Sequence, residues 1–264
     1  MRAPHRTHLG HGVSRALHAE WTKLRTEPAA RWLLPCLVVA TVLVSLFAVA
    51  AASCKVGGCG VDPAALSLAG VQLGQAVVVM LAVLAIGGEQ GTGLLRTTFT
   101  AAPRRIAVLA AKAVLIGGLT LAAGTVAVLG CVAAGRAILP GNGIAAPSLA
   151  DGPTLRAAVG SVLYLVLIGL LALGVAAAIR DSAASAGAMF ALLYTVPLVA
   201  AVINDPELQR TLRRFAPMTS GLAIQATTDL DNLPIGPWAG LAVLAAWSAA
   251  SLLLGALLLH HRDP

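Results

Sequence analysis

The sequence predicts an all-α integral membrane protein with six transmembrane helices. Of its 264 residues, 58% are hydrophobic and 11% are charged, too few charges to cover the surface of a water-soluble domain. A helix that crosses the roughly 30 Å hydrocarbon core of a bilayer needs about 20 apolar residues. Six runs meet that length, over residues 32–52, 68–88, 106–134, 155–179, 183–203 and 238–259.

The distribution of lysine and arginine predicts a multi-pass plasma-membrane protein with both termini in the cytoplasm. With the N-terminus inside, 12 of the 18 basic residues fall in cytoplasmic segments, and the six outer ones are matched by six acidic residues. The whole formal charge of +7 then lies inside, as the positive-inside rule expects. The basic residues lack the aromatic interleaving typical of nucleic-acid binding, so the expected contact is the lipid bilayer and no nucleic acid.

Residues 1–12 are predicted to form a disordered basic tail, and residues 13–264 a single membrane domain. Apolar side chains at helical spacing, with basic residues elsewhere on the turn, predict an amphipathic interface helix before the first span. Its principal residues are Leu17, Trp21, Lys23, Leu24 and Arg25. Such a helix serves as a membrane-surface anchor or contacts a cytoplasmic partner, and the residues alone favour neither.

The cytoplasmic loop between spans two and three predicts a short helix. Glycines end the second span, Leu94, Leu95, Thr98 and Phe99 repeat at a helical interval, and Pro103 stops the segment. Apolar side chains on a cytoplasmic helix commonly dock on another molecule.

The longest outer loop follows span five, over residues 204–237, and predicts two short helices. Asp205 and Pro206 are a good cap and a good first helical residue. The first helix then has an apolar face and a basic face before Pro217 ends it, with a second helix beginning near Thr219 or Ser220. The apolar residues are Leu208, Leu212 and Phe215, the basic ones are Arg210, Arg213 and Arg214, and the second helix includes Leu222 and Ile224. Both are too short to span, so they should lie at the outer interface or dip into it.

Small residues and prolines within the spans predict close packing and local distortion. The small residues at helix-contact spacing are Gly70 with Gly74, and Ala183 with Gly187 and Ala191. They permit close contact within one subunit or between two. Pro35 and Pro197 should kink or open their helices.

The chain carries little chemistry of its own. The spans contain no acidic residue away from their ends, which argues against ion coupling, and all six histidines lie near the termini. No metal site, phosphate loop or other catalytic motif is present, so no enzyme activity and no cofactor are expected in this chain.

Polar points within the spans form a possible substrate path, although such residues more often form interhelical hydrogen bonds than ligand contacts. They are Gln72, Gln75, Tyr164 and Tyr194, with Ser161 and Thr195 nearby. In the first outer loop, Cys54 and Cys59 are spaced for a short disulfide or remain two free thiols.

Three stretches of the chain resemble actinobacterial ABC-2 type transporter permeases. They are residues 20–26 (EWTKLRT), residues 89–98 (EQGTGLLRTT) with 103–105 (PRR), and residues 237–243 (PWAGLAV) with 261–263 (HRD). The resemblance implies that residues 92–101 form a coupling helix set into a separate ATPase subunit. The residues it assigns to that contact are Glu89, Thr92, Leu94, Leu95, Arg96, Thr98 and Phe99.

The resemblance also implies the assembly and its activity. Two permease subunits, identical or different, would combine with two ATPases that bind ATP and magnesium, and would export a hydrophobic or amphipathic compound such as a drug, peptide or lipid. Two other functions stay open: a structural or assembly membrane protein without transport, and an integral membrane enzyme acting on lipid. Against the enzyme stands the lack of clustered His, Asp, Glu or Cys at one depth.

Overall fold

A computed structural model of the chain describes residues 28–52, 60–90 and 105–261. Within these ranges the regular elements are all helical and no strand is present. In chain order they are α1 (Pro28–Ala51), α2 (Pro63–Ser67), α3 (Val71–Gln90), α4 (Arg105–Ile138), α5 (Gly152–Ile179), α6 (Ser182–Phe190), a π-helical segment (Ala191–Thr195), α7 (Val196–Val202), α8 (Pro206–Phe215), α9 (Pro217–Leu222) and α10 (Pro237–His261). Short 3₁₀ turns follow at Leu139–Asn142, Ala223–Gln225 and Leu230–Asn232.

Among the described residues, five helices are long and apolar enough to cross a membrane, which is the architecture of a multi-pass membrane protein. They are Arg31–Ala51, Val108–Asn142, Gly152–Ile179, Ser182–Val202 and Pro237–Leu259. The second predicted run gives a shorter apolar helix, Val71–Gly87. Its first residues do not join that helix, because residues 63–67 form the separate helix α2, which Asp62 caps, and a turn follows.

Helix α5 is the centre of the bundle and packs against α3, α4 and α10. Sixty-one per cent of its apolar window is buried, against 22–33% for the other four candidate spans. The side chains that fill this core are almost completely buried. The largest on α5 are Tyr164, Leu165, Ile168, Leu171 and Leu173.

The bundle has a loop end, next to residues 91–104, and a hairpin end, next to residues 205–226. At the loop end, α3 and α4 extend toward residues 91–104, and Gly87 packs directly against Ser182 at the start of α6. The buried Lys112 also donates from Nζ to the carbonyl oxygen of Ala85 at 2.9 Å. The hairpin end, where α5 and α10 begin, carries the segment at residues 205–226. The charge distribution predicts that the loop end is cytoplasmic and the hairpin end is outside.

The predicted close approach at Gly70 and Gly74 is confirmed, and it joins α3 to α1. A Cβ on Gly70 would overlap the carbonyl oxygen of Thr41, and one on Gly74 would overlap the Thr41 hydroxyl. The Gly70 amide donates to Ser45 Oγ at 3.0 Å. By contrast, a Cβ on Gly187 would meet nothing within 4 Å, so the second group of small residues does not pack closely within the described part of the chain.

Pro197 lies just after the π-helical segment, where the helix has to accommodate the distortion that a proline causes. Proline has no amide hydrogen, and its ring clashes with the carbonyl four residues earlier. The wider π turn at Ala191–Thr195 accommodates both effects, so α6, the π segment and α7 remain one span. Pro35 lies within α1, which continues through it.

Candidate functional site

Residues 205–226 form a re-entrant hairpin that turns back into the bundle. Asp205 caps the first arm, α8, by accepting from the amides of Glu207 and Leu208 at 3.0 and 3.3 Å. The chain turns at Ala216, and the second arm consists of α9 and the 3₁₀ turn Ala223–Gln225. This second helix begins at Pro217, earlier than the predicted start near Thr219 or Ser220, because proline is well tolerated in the first helical turn.

The tip of the hairpin reaches the level of the middle of the long helices. Trp247 donates from Nε1 to the carbonyl oxygen of Phe215 at 3.0 Å. Trp247 comes ten residues after Pro237, where α10 begins, which is about 15 Å along a helix axis. Helix α9 also packs against the π segment, midway along the span formed by α6 and α7. The prediction was that these short helices lie at the outer interface or dip into it, and the tip instead lies further along the bundle, at the middle of the long helices.

The returning arm is held between α5 and α10 by direct contact at three glycines. A Cβ on Gly160 of α5 would overlap the Ile224 side chain, and one on Gly240 of α10 would overlap the Ser220 carbonyl oxygen. Gly221, on the arm itself, lies against the Tyr164 ring. Because the contact is this close, the arm cannot move without separating from both helices.

A set of buried polar contacts, here called the polar lock, joins the hairpin tip to α3 and α5. It consists of Gln75, Tyr164 and Met218, in which the Tyr164 hydroxyl donates to Gln75 Oε1 and Gln75 Nε2 contacts Met218 Sδ at 3.4 Å. One turn nearer the hairpin end, Gln225 donates from Nε2 to Ser161 Oγ at 3.0 Å. Breaking these contacts leaves polar atoms unsatisfied in an apolar core, which is costly.

Asp62 fastens the other end of the hairpin and is here called the latch residue. Its carboxylate caps α2 through the amides of Ala64 and Ala65 at 3.0 and 3.1 Å. It also accepts from the amide and hydroxyl of Thr227 and from the amide of Thr228. One carboxylate therefore joins the segment before α3 to the segment that leaves the hairpin.

Burial raises the pKa of Asp62, and the hydrogen bonds from Thr227, Ala65 and Thr228 lower it by more, so the net pKa lies below the usual value. A depressed pKa means that the latch contributes stability above the ordinary aspartate pKa and loses it as the pH falls through the lower folded value. The latch is therefore fully ionised at neutral pH.

Asp62→Asn is expected to lower the free energy of unfolding at neutral pH by about 1–3 kcal/mol, the usual contribution of hydrogen bonds to a charged group. The measurement is the thermal unfolding midpoint in detergent. As the pH falls below the ordinary aspartate pKa and through the lower pKa of folded Asp62, the wild-type carboxyl also becomes protonated, so the two proteins should converge. Asp151→Asn is the matched control, because Asp151 precedes α5 without making a side-chain cap. An equal loss in both variants would contradict the latch.

The four residues of the predicted substrate path fall into two pairs. Gln75 and Tyr164 are buried and bonded to each other in the polar lock. Gln72 and Tyr194 lie at the surface, where the Tyr194 hydroxyl donates to the Gln72 carbonyl oxygen at 2.9 Å. Helix α3 thus carries one glutamine inside the core and one outside it. The exposed pair also joins α3 to the π segment of the neighbouring span.

Several predicted features lie outside the described residues. They are the tail 1–12, the interface helix with Leu17, Trp21, Lys23, Leu24 and Arg25, the contact residues Thr92 to Phe99, and the cysteines Cys54 and Cys59. Glu89 lies in the last turn of α3, where its backbone alone is described. In the described ranges, no group of three or more His, Cys, Asp or Glu side chains is placed to hold a metal ion.

The chain matches no protein-family model, and no curated protein is detectably similar to it. The resemblance to ABC-2 permeases therefore rests on the motifs quoted above.

Several residues of this site were not identified from the sequence, among them Asp62, Met218 and Trp247. Asp62 carried a detectable signal, since Asp62 and Pro63 repeat the cap and first-turn proline found at the start of α8. Nothing in the local sequence marks Met218 or Trp247. Their partners are 143 and 32 residues away, and only the folded bundle brings them together.

Proposed function

We propose that this chain is the permease subunit of an ABC-2 type exporter, which moves a hydrophobic or amphipathic compound out of the cell. A separate ATPase subunit binds ATP and magnesium and supplies the energy. A second permease subunit, identical or different, completes the path. The observation that best supports a transport role is the re-entrant hairpin, whose tip lies midway along the long helices.

Interrupted helices at the middle of a membrane bundle favour transport because regular spans need no such feature. Backbone that departs from the α-helix at membrane depth is tolerated where protein or a cavity surrounds it, and broken helices mark binding sites in many transporters. This chain has two such features in contact, the hairpin tip and the π segment Ala191–Thr195. Both adjoin α3, which carries Gln72 and Gln75.

In the proposed mechanism, ATP binding closes the ATPase pair and moves the coupling helix at residues 92–101. That helix follows α3, so its displacement shifts α3 relative to α5. The polar lock between Gln75, Tyr164 and Met218 then separates, and the hairpin tip moves away from the middle of the bundle. ATP can shift the equilibrium between these two states of the permease only by the difference in free energy with which the ATPase contacts each state.

The first test is the identity and effect of the motor. The reading frame beside this gene is expected to encode a soluble ATPase with a phosphate loop and a signature motif. Purified with this chain and reconstituted in vesicles, that ATPase should hydrolyse ATP faster than it does alone and drive movement of a fluorescent amphiphile. An ATPase that neither binds nor responds to the chain would contradict the proposal and favour a structural role.

Leu94→Ala with Phe99→Ala is expected to lower ATP-driven transport by about tenfold or more while the chain still inserts. Two apolar docking side chains commonly account for more than the 1.4 kcal/mol that a factor of ten represents. Val114→Ala with Leu121→Ala is the matched control, because it removes two exposed apolar side chains from the neighbouring helix α4. Equal transport in both double variants would disprove the coupling assignment.

A further inference from the structure

The first arm of the hairpin, α8, exposes positive charge beside apolar surface. Arg210, Arg213 and Arg214 are all exposed, and the helix buries none of its residues. Leu208 and Phe215 are 48% and 57% exposed. The arm therefore presents a charged surface, which water solvates, beside an apolar surface, which hydrocarbon solvates.

The three arginines have no acidic partner in the described part of the chain. No ion pair joins them to a carboxylate there, and Asp205 is occupied in capping the helix. Arg214 lies over the ring of the adjacent Phe215, with its guanidinium carbon 5.8 Å from the ring centre. Cations in the last turn of a helix interact favourably with the helix dipole. That interaction does not require an exposed cluster of three arginines.

The arm lies alongside the long helices rather than beyond their ends. Gln209 donates from Nε2 to the carbonyl oxygen of Ala200 in α7 at 2.9 Å. Phe215, at the end of the arm, is bonded to Trp247 of α10. Arg213 and Arg214 therefore begin at a level where these helices would be surrounded by hydrocarbon. An arginine at such depth needs an anion within reach or must extend toward the interface.

We propose that α8 binds the headgroup of an anionic phospholipid in the outer leaflet. Guanidinium groups bind phosphate oxygens in pairs, so the arginines would hold the headgroup below its usual depth. The exposed Leu208 and Phe215, with Trp247 at 40% exposure, provide apolar surface for the acyl chains. This proposal rests on the membrane-spanning architecture and does not depend on the transport assignment.

The test uses the full chain in nanodiscs of phosphatidylcholine alone and of an equimolar mixture with phosphatidylglycerol. The mixture should raise the thermal unfolding midpoint, and native mass spectrometry should detect retained phosphatidylglycerol. In the triple variant R210Q/R213Q/R214Q the affinity for phosphatidylglycerol should fall by about tenfold to a hundredfold, as expected when three arginines near a membrane surface are lost. Arg136→Gln removes another exposed arginine predicted to lie outside, at the end of α4, and should leave that affinity unchanged.

Two further measurements decide the result if the glutamine variant fails to insert. The variant R210K/R213K/R214K keeps the charge and should retain part of the stabilisation. Added salt should weaken the stabilisation of the wild type. Equal midpoints in the two lipid compositions would overturn the proposal, as would an equal loss in R136Q. A dimer in pure phosphatidylcholine that the triple variant dissociates would also overturn it, by assigning the arginines to a second copy of the chain.

Discussion

Gly240→Ala is expected to displace the returning arm of the hairpin from α10. The added methyl group would overlap the carbonyl oxygen of Ser220 and lie 2.9 Å from its carbonyl carbon. These are backbone atoms, so no side-chain rotation can relieve the clash. Either α10 or the arm must shift, and a shift of the arm would disturb the buried packing of Ile224 against Gly160 of α5. We expect a loss of about 1–3 kcal/mol in the free energy of unfolding, the usual cost of overpacking a core.

Hydrogen exchange separates this effect from a general loss of stability. Residues 217–225 should exchange faster in Gly240→Ala, while the centre of α5 stays protected. Gly187→Ala is the matched control, since the added Cβ meets nothing within 4 Å and the position is helical. That control should be neutral or slightly stabilising, because alanine favours a helix over glycine by about 1 kcal/mol. Unchanged hydrogen exchange over residues 217–225 in Gly240→Ala would contradict the close packing of the returning arm against α10.

Gly70→Ala is expected to separate the start of α3 from α1. The new Cβ would overlap the Thr41 carbonyl oxygen and lie 2.7 Å from Ser45 Oγ. The Gly70 amide would also lose its hydrogen bond to Ser45 Oγ, now 3.0 Å long. Overpacking of about 1–3 kcal/mol is therefore added to the cost of an unsatisfied buried donor, about 1–3 kcal/mol. Few single substitutions in this chain should reduce stability more.

The unfolding midpoint in detergent measures this loss, and the yield of monodisperse protein checks it. Gly118→Ala is the control, because its Cβ would meet nothing within 4 Å on the exposed side of α4. We expect Gly118→Ala to match the wild type within about 1 kcal/mol. A midpoint for Gly70→Ala as high as that of the control would show that α1 and α3 pack differently.

Much of the fold follows from local sequence, because helix formation within a membrane depends on nearby residues. Apolar length placed the five long helices, and the Asp205–Pro206 pair placed the start of α8. The same reasoning extended the second run back to residue 68, beyond the observed start of α3 at Val71. There the helix capped by Asp62 ends, and the turn at Gly70 lies against Thr41, before α3 begins. Hydrophobicity alone does not predict either feature.

The candidate site was less predictable because its contacts join distant parts of the chain. Tyr164 and Gln75 both appeared as polar points within spans, but neither sequence position indicates that they bond to each other. In the sequence, Asp62 is only one of the six acidic residues counted on the outer side, although it closes the hairpin through Thr227.

The sequence by itself determined the class of this protein, the boundaries of most helices and the uneven distribution of charge. Each depends on composition or on residues within one or two turns, where helix geometry fixes the relation between spacing and position. Only the tertiary structure placed the hairpin tip at mid-bundle, with its basic arm beside the long helices. That position depends on three glycines and one carboxylate meeting segments far away in the chain, and no local pattern encodes such a meeting.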